Sequence, residues 1–360
     1  MLWQSEPTPK IISGETALDE LEDHVHGDRI LLCSSRSVII KDEIHQLVNK
    51  LGGKKVEVYS GVMPNPSFEE VLLFSDKVSG FQPCAIIAVG GGSVIDFAKI
   101  LSLLLTNSSY RSIEKLQRLD EKFKRESQLI AIPTTCGTGA EVTPFATVWD
   151  KTNLKKYSIA NHNMRSDICV LNGNLSRSSS GEQVLYSGLD ALSHCVETLW
   201  NSQRDSWSLN FAIAALISIM DVFPRLIEGS GSNEDWQIMQ ESAMFAGLAI
   251  SQSRTAIAHS ISYPLTSHFQ IPHGLACSFS IPYIWDSLST TTKSKIPNSN
   301  LLNDATLFIH SLNLMEKVKK YASIDDITAV ASEMISSERA SNFMEKVDLD
   351  WIKRLASYFE

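Results

Sequence analysis

The first half of the chain alternates short apolar runs with longer stretches of helical spacing. Arg29–Cys33, Lys55–Tyr59, Cys84–Val89 and Gln128–Ile132 have strand length, and Pro83 and Gly90 bracket the third of them. Cys84-Ala-Ile-Ile-Ala-Val89 is apolar throughout, the pattern of a strand buried on both faces. Between these runs, Ser37–Leu51, Ser67–Ser79 and Ser93–Leu105 carry apolar residues at helical intervals. This rhythm predicts a parallel sheet with helices on both faces. Thr143–Val148 and Lys156–Ala160 predict an antiparallel pair with its turn at Asp150–Asn153, and Ile168–Leu171 closes the region. The polar run Asn172–Gly181 marks a boundary. Residues 1–180 are therefore expected to form an α/β domain and residues 181–360 a second one.

Beyond Glu182 the period changes. Glu182–Trp200, Ser206–Leu226, Asp235–Ile250, Thr255–Ser267, Leu302–Leu314, Ile324–Met334 and Asp350–Tyr358 all read as helices, which predicts a helix bundle. Asp286–Asn300, rich in Ser, Thr, Lys and Asn, reads as an exposed loop.

Composition narrows the function. A chain of 360 residues has room for two domains with buried cores. Hydrophobic residues at 43% and charged residues at 20% fit a globular enzyme. A net charge of -9 without a basic run argues against nucleic acid as a partner. Met1-Leu-Trp-Gln-Ser-Glu-Pro7 lacks the basic-then-apolar order of a secretory signal. The longest apolar run, near Phe211–Met220, is about half of what a membrane span needs, so no membrane is expected. Cys33, Cys84, Cys136, Cys169, Cys195 and Cys277 are scattered without a CxxC pair and read as reduced residues of a cytoplasmic protein.

Three stretches carry chemistry. Gly90-Gly-Gly-Ser-Val-Ile-Asp96 follows a buried strand and opens a helix, where bare backbone and free N–H groups can cradle a phosphate. It is neither GxGxxG nor a Walker loop. Pro133-Thr-Thr-Cys-Gly-Thr-Gly-Ala-Glu-Val-Thr143 is a second loop after a buried strand, and two such loops suggest a dinucleotide crevice. In Gly188-Leu-Asp-Ala-Leu-Ser-His194, Asp190 and His194 lie four apart and share one helix face. His259, in a helical stretch, and His273, in Ile271-Pro-His-Gly274, are candidates for the rest of a metal site. One oxygen and three nitrogens suit Fe²⁺ or Zn²⁺ and are too nitrogen-rich for Mg²⁺ or Ca²⁺. Asp190 and His194 alone would fit a helix-terminal charge and a core or surface histidine better than a metal site, because Asp-x3-His is a weak pattern.

Taken in order, Gly90-Gly-Gly-Ser-x-x-Asp-x-Ala-Lys99, Pro133-Thr-Thr-x-Gly-Thr-Gly-x-Glu-Val-Thr143, Gly188-x-Asp-Ala-Leu-x-His194 and Pro272-His-Gly274 resemble the iron-containing (group III) alcohol dehydrogenases, from about residue 8 to the C-terminus. The resemblance implies a dehydroquinate synthase-like fold: an N-terminal dinucleotide-binding domain and a C-terminal helical metal-binding domain. It implies Asp190, His194, His259 and His273 as ligands of Fe²⁺, with Zn²⁺ as the alternative. It places NADPH or NADH against Gly91, Gly92, Ser93 and Asp96 and against Thr134, Thr135 and Thr138, with Lys156 at the ribose. Pro64-Asn-Pro-Ser67 matches a loop at the cleft entrance. The implied reaction interconverts an aldehyde and a primary alcohol, with the metal polarising the carbonyl and the nicotinamide supplying hydride. A homodimer is expected.

Two departures from the family pattern bear on specificity. Ser35 stands where the family often has an Asp that clamps the ribose, and Arg36 follows it. Loss of the carboxylate leaves room for a 2′-phosphate, although Arg36 could be an ordinary surface residue. Tyr263 stands four residues after His259, where many members have His; it can pass a proton or simply pack. Arg254–Leu265 is most similar to the branch that reduces phosphonoacetaldehyde to 2-hydroxyethylphosphonate. Arg254 is expected on the His259 helix, where it would hold an anionic head group or form a surface ion pair. His162, His268 and His310 are read as non-ligands. The alternatives are a general short-chain alcohol dehydrogenase, a dehydroquinate synthase-like lyase and a binding protein without catalysis.

Overall fold

A computed structural model describes residues 8–120, 123–151 and 155–358. The chain divides into two compact units, Pro7–Ser179 with Ser232–Glu241, and Ser180–Gly231 with Ser242–Glu360.

The first unit is built on a six-stranded sheet. Its strands are β1 (Lys10–Ser13), β2 (Arg29–Ser34), β3 (Lys55–Tyr59), β4 (Ala85–Gly90), β5 (Gln128–Pro133) and β8 (Ile168–Leu171), in the order β1-β8-β5-β4-β2-β3, and every pairing is parallel. β6 (Phe145–Asp150) and β7 (Lys155–Ala160) form a separate antiparallel pair. Of the expected turn between them, Thr152 and Asn153 lie outside the described residues. Alternate residues of the central strands enter two cores: Leu31, Ile86 and Leu129 on one face, Ile30, Ile87 and Ile130 on the other, all 0–1% exposed. Burying such a side chain contributes about 1.5–3 kcal/mol, so both faces are committed to helices. Chain order reverses between β2 and β4, since β3 lies outside β2. The carboxyl ends of those two strands flank the crevice where this architecture binds ligands.

Several expected boundaries move. β1 was not expected; it is a four-residue edge strand with only two half-buried positions. The helix expected over Ser37–Leu51 is broken into Arg36–Ile39 and Asp42–Lys50. Lys41 is extended at the break, and its amine bonds Leu175 O. The expected loop Asp286–Asn300 holds a helical turn, Thr290–Lys293, capped by Ser289, and buries Ile296. The helix expected over Ile324–Met334 ends at Ala329 and continues as a 3-10 turn, Ala331–Met334.

The second unit is helical. Helix Gly181–Leu199 carries the Asp190–His194 face and packs on helices Ser206–Ile227 and His273–Ser278. Ser206–Ile227 is 22 residues long and apolar enough by length and composition to cross a membrane, longer than the run Phe211–Met220 suggests. It buries Ala212, Ala215, Leu216, Ile219 and Phe223 in the bundle, as the core helix of a globular unit does.

Candidate metal centre and nucleotide loops

Helix Gly181–Leu199 turns Asp190, His194 and Glu197 to one face, and all three are buried. Helix Ile257–Phe269 brings His259, and helix His273–Ser278 begins with His273. Gly274 permits that last approach. A Cβ there would stand 1.8 Å from Tyr186 O and 3.1 Å from Asp190 N, so any side chain would push His273 away from Asp190. Ser278 Oγ fixes the other end of the short helix by donating to Leu189 O at 2.9 Å.

The four expected ligands come together. His194 Nε2 lies 3.5 Å, His259 Nε2 3.7 Å and His273 Nε2 3.8 Å from one atom, Asp190 Oδ1. These separations are too long for hydrogen bonds, and neither Asp190 Oδ1 nor His259 Nε2 has one. Tetrahedral donors that each hold an ion at about 2.0–2.2 Å stand roughly 3.3–3.6 Å apart, and the three separations of 3.5, 3.7 and 3.8 Å lie at or just beyond the upper end of that range. A buried polar atom without a partner costs free energy. A bound divalent ion removes that cost for both atoms at once.

Charge balance leads to the same place. Burial opposes ionisation of Asp190, but His194, His259 and His273 outweigh it and hold the carboxyl well below its ordinary range. Burial likewise opposes a charge on His259, but Cys277, Glu197 and Asp190 raise the imidazole well above its ordinary value. Both directions favour positive charge beside the buried carboxylates, as protons on imidazole or as a metal ion.

Glu197 was not singled out in the sequence. It is fully buried, and its oxygens accept from Ala256 N (2.9 Å), Ala258 N (2.5 Å), His259 N (3.2 Å) and His259 Nδ1 (2.7 Å). It therefore caps the start of the His259 helix and pins the ring with Nε2 toward Asp190. The available signal was its spacing: 190, 194 and 197 form one helical stripe.

Arg254 is not on the His259 helix. Helix Asn233–Ser253 ends before it, and Arg254 has φ +65° and an exposed side chain. Asn201 Nδ2 donates to both Ser253 O and Arg254 O, and Glu197 takes the N–H groups from Ala256 onward, so the chain must turn between the two helices. Tyr263 is half-buried, its ring parallel to that of His273 within 10° at 6.2 Å. The Arg339 guanidinium lies 4.6 Å from the same Tyr263 ring. His268 pairs with Glu333 on the surface.

In the sheet unit the two expected loops touch. Thr134 N donates to Gly90 O at 3.1 Å. Cβ atoms on Gly91 and Gly92 would come within 3.3 Å of Thr135 Oγ1 and 2.8 Å of Thr138 Cγ2. Bare backbone thus lines the start of helix Gly92–Thr106. Ser93 Oγ accepts from Asn65 N at 3.2 Å, which brings the Pro64–Ser67 loop against the cradle. Ser35 and the exposed Arg36 follow β2, whose last residue, Ser34, lies beside Val89 of β4. Asp96 accepts from Thr147 N at 2.9 Å; burial pushes it up to about 6 against the pull of Lys99 and the Thr147 amide. Lys156 lies on β7 with its amine 6.0 Å above the Trp149 ring. Lys99 is fully buried and donates to Thr143 O and Phe145 O, tying the second loop to the glycine helix.

Comparison with known proteins agrees with both halves. Residues 7–173 match the sequence family described as iron-containing alcohol dehydrogenase, and residues 184–349 match the C-terminal domain of the Fe-containing alcohol dehydrogenase family. The bifunctional aldehyde-alcohol dehydrogenase AdhE of Escherichia coli (strain K12) is 31% identical over 77% of this chain; the chain spans 32% of that protein's length. An alcohol dehydrogenase of Thermococcus barophilus is 27% identical over 94% of this chain and 89% of its own. The crystal structure of an iron-containing alcohol dehydrogenase from Thermotoga maritima superposes with a TM-score of 0.85 at 26% identity, covering 99% of both chains. This chain belongs to the iron-containing alcohol dehydrogenase family.

Proposed function

We propose that the chain is a metal-dependent NAD(P)H oxidoreductase interconverting a small aldehyde and its primary alcohol. Asp190, His194, His259 and His273 would hold one divalent ion, Fe²⁺ or Zn²⁺. The observation that carries this reading is the convergence of three imidazole Nε2 atoms at 3.5–3.8 Å on Asp190 Oδ1, an oxygen without a hydrogen bond. When bound, the ion supplies Lewis acidity toward a carbonyl oxygen and the nicotinamide supplies hydride. His273, with its side chain 32% exposed, leaves the pocket open to substrate on its side. Tyr263, parallel to it, is placed to shield the pocket or pass a proton toward solvent.

In this reading the dinucleotide lies against Gly91, Gly92, Ser93 and the Thr134–Thr138 loop, and NADPH serves at least as well as NADH because Ser35 and Arg36 replace an acidic clamp. A relative from Clostridium saccharobutylicum, 30% identical over 65% of this chain, is named an NADPH-dependent butanol dehydrogenase. Cysteines that form no disulfide suit a reducing, cytoplasmic compartment.

The substrate carries an anionic head in this proposal, and phosphonoacetaldehyde is the leading candidate. Arg254 fits the head-group role poorly, being exposed and off the helix. Arg339 fits it better. Its side chain is 15% exposed, with the guanidinium 4.6 Å from the Tyr263 ring and 3.5 Å from the exposed Glu338 carboxylate, and Nε donates to Thr255 Oγ1 at 3.2 Å just before the His259 helix. A relative from Clostridium kluyveri, 31% identical over 59% of this chain, is named for 4-hydroxybutyrate, which also carries an anion.

The test is nicotinamide absorbance with metal-loaded protein on phosphonoacetaldehyde and on propanal. Arg339→Ala should lower kcat/KM for the anionic aldehyde by about 10–100-fold, the usual loss with one charge-assisted bond, and leave propanal nearly unchanged. Equal losses would make Arg339 structural. Better turnover of propanal by the unaltered chain would make it a general alcohol dehydrogenase. Absence of turnover on every aldehyde would refute the oxidoreductase reading.

A further inference from the structure

Cys277 lies four residues after His273 on helix His273–Ser278, a spacing that stacks both side chains on one face. It is fully buried, with Sγ 3.6 Å from His273 Nε2 and 3.7 Å from Nδ1. At these distances the thiol can donate to either ring nitrogen, and the sulfur and the ring nitrogens are also metal donors. Asp190, His259, His273 and Cys277 offer donor atoms that all lie within 4.8 Å of one another. This quartet shares three members with the histidine-rich set and includes Asp190 Oδ1 and His259 Nε2, two buried atoms without a hydrogen bond.

We propose that Cys277 is an additional metal-ligating residue of this pocket, binding the ion as a thiolate. The inference rests on the metal reading of Asp190 and the three histidines. An ion with five donors, about 2.1 Å from nitrogen and about 2.3 Å from sulfur at angles of about 90–120°, separates the two by roughly 3.1–3.8 Å, and His273 Nε2 and Cys277 Sγ stand 3.6 Å apart. On binding, the thiol proton leaves to solvent and no electron is transferred. The consequence is metal choice. A soft sulfur donor favours Zn²⁺ and Co²⁺ over Mn²⁺ and Mg²⁺, so this pocket should discriminate against hard ions more sharply than one oxygen and three nitrogens would.

The experiment is Co²⁺ titration of the full chain after removal of its metal by chelation, kept reduced throughout. Visible ligand-field bands report occupancy, and a near-ultraviolet sulfur-to-cobalt band reports the thiolate. Both should saturate together at one ion per chain. Cys277→Ser should keep the visible bands, lose the near-ultraviolet band and weaken Co²⁺ binding by at least the roughly 10–100-fold that loss of a supporting group costs. Cys195→Ser, next to His194, should keep both bands. Cys277→Ala, checked by circular dichroism, should repeat the Cys277→Ser result if the serine variant folds poorly. Visible bands without the near-ultraviolet band, or a near-ultraviolet band that survives in both Cys277 variants, overturn the proposal and leave the metal site standing. Failure to bind Co²⁺ at all overturns both.

Discussion

The two units prepare their sites by opposite means. In the sheet unit the candidate cradle is made of what is missing: Gly91 and Gly92 present bare backbone within reach of Thr135 and Thr138. The charged side chains nearby hold loops together, Lys99 through Thr143 O and Phe145 O and Asp96 through Thr147 N. In the helical unit the site is made of what is present. Four side chains from three helices aim donor atoms at one point, and a fifth, Glu197, orients one of them. The first site should therefore fail when atoms are added, and the second when donors are removed.

The largest effect should come from removing a donor. His273→Ala is expected to lose bound metal and more than about 100-fold of kcat together, with an unchanged circular dichroism spectrum. Full metal occupancy in that variant, measured by elemental analysis, would sink the ligand assignment. Glu197→Gln should come next. The amide places N–H donors against some of the four N–H groups that now meet carboxylate oxygens. His259 then loses its fixed orientation, and metal affinity should fall by about 10–100-fold in a chelator competition. An unchanged affinity would mean that the helix backbone alone orients His259.

The same contrast explains what could be read from the sequence. The sheet was legible because its strands are apolar at every position, and both faces proved buried. The four candidate ligands were legible because their residue types are uncommon together and one pair has helical spacing. Glu197 was not, because a buried glutamate and a surface glutamate look alike until the partner is known, and its partner lies 62 positions on. Arg254 was misplaced for the same reason. Local periodicity runs on through Thr255, and only the tertiary contacts from Asn201 and Glu197 force the break. Arg339 lacks a sequence signal of its own, and its significance comes from Tyr263, which the fold brings to it; Cys277 had only its spacing of four from His273.

Adding atoms should hurt the other site less, because loops yield. Gly92→Ala places a Cβ 2.8 Å from Thr138 Cγ2, so the second loop must shift. Overpacking of this kind costs about 1–3 kcal/mol, and dinucleotide affinity measured by fluorescence titration should fall by roughly ten-fold or more, with metal content unaltered. A loss of metal in this variant would break the separation between the two sites.

The smallest effect should come from Arg36, and it tests whether the sheet unit uses any side-chain charge to read its ligand. Arg36 opens a short helix directly after Ser35, beyond the carboxyl end of β2, and its side chain is exposed. The neighbouring strand, β4, leads into Gly91 and Gly92, so a dinucleotide lying across these ends would bring its adenosine ribose toward Ser35 and Arg36. Neither residue repels a 2′-phosphate, and the guanidinium attracts it. Water screens an exposed pair, which limits its contribution to about five-fold at most in affinity. Arg36→Ala should therefore raise the KM for NADPH by up to about five-fold and leave that for NADH unchanged. Arg36→Glu should go further in the same direction, and added salt should shrink the difference, since screening acts on the charge pair alone. Equal shifts for both cofactors would mean that Arg36 only supports the helix it begins. A strong preference of the unaltered chain for NADH would mean that the missing acidic clamp is not what selects the cofactor.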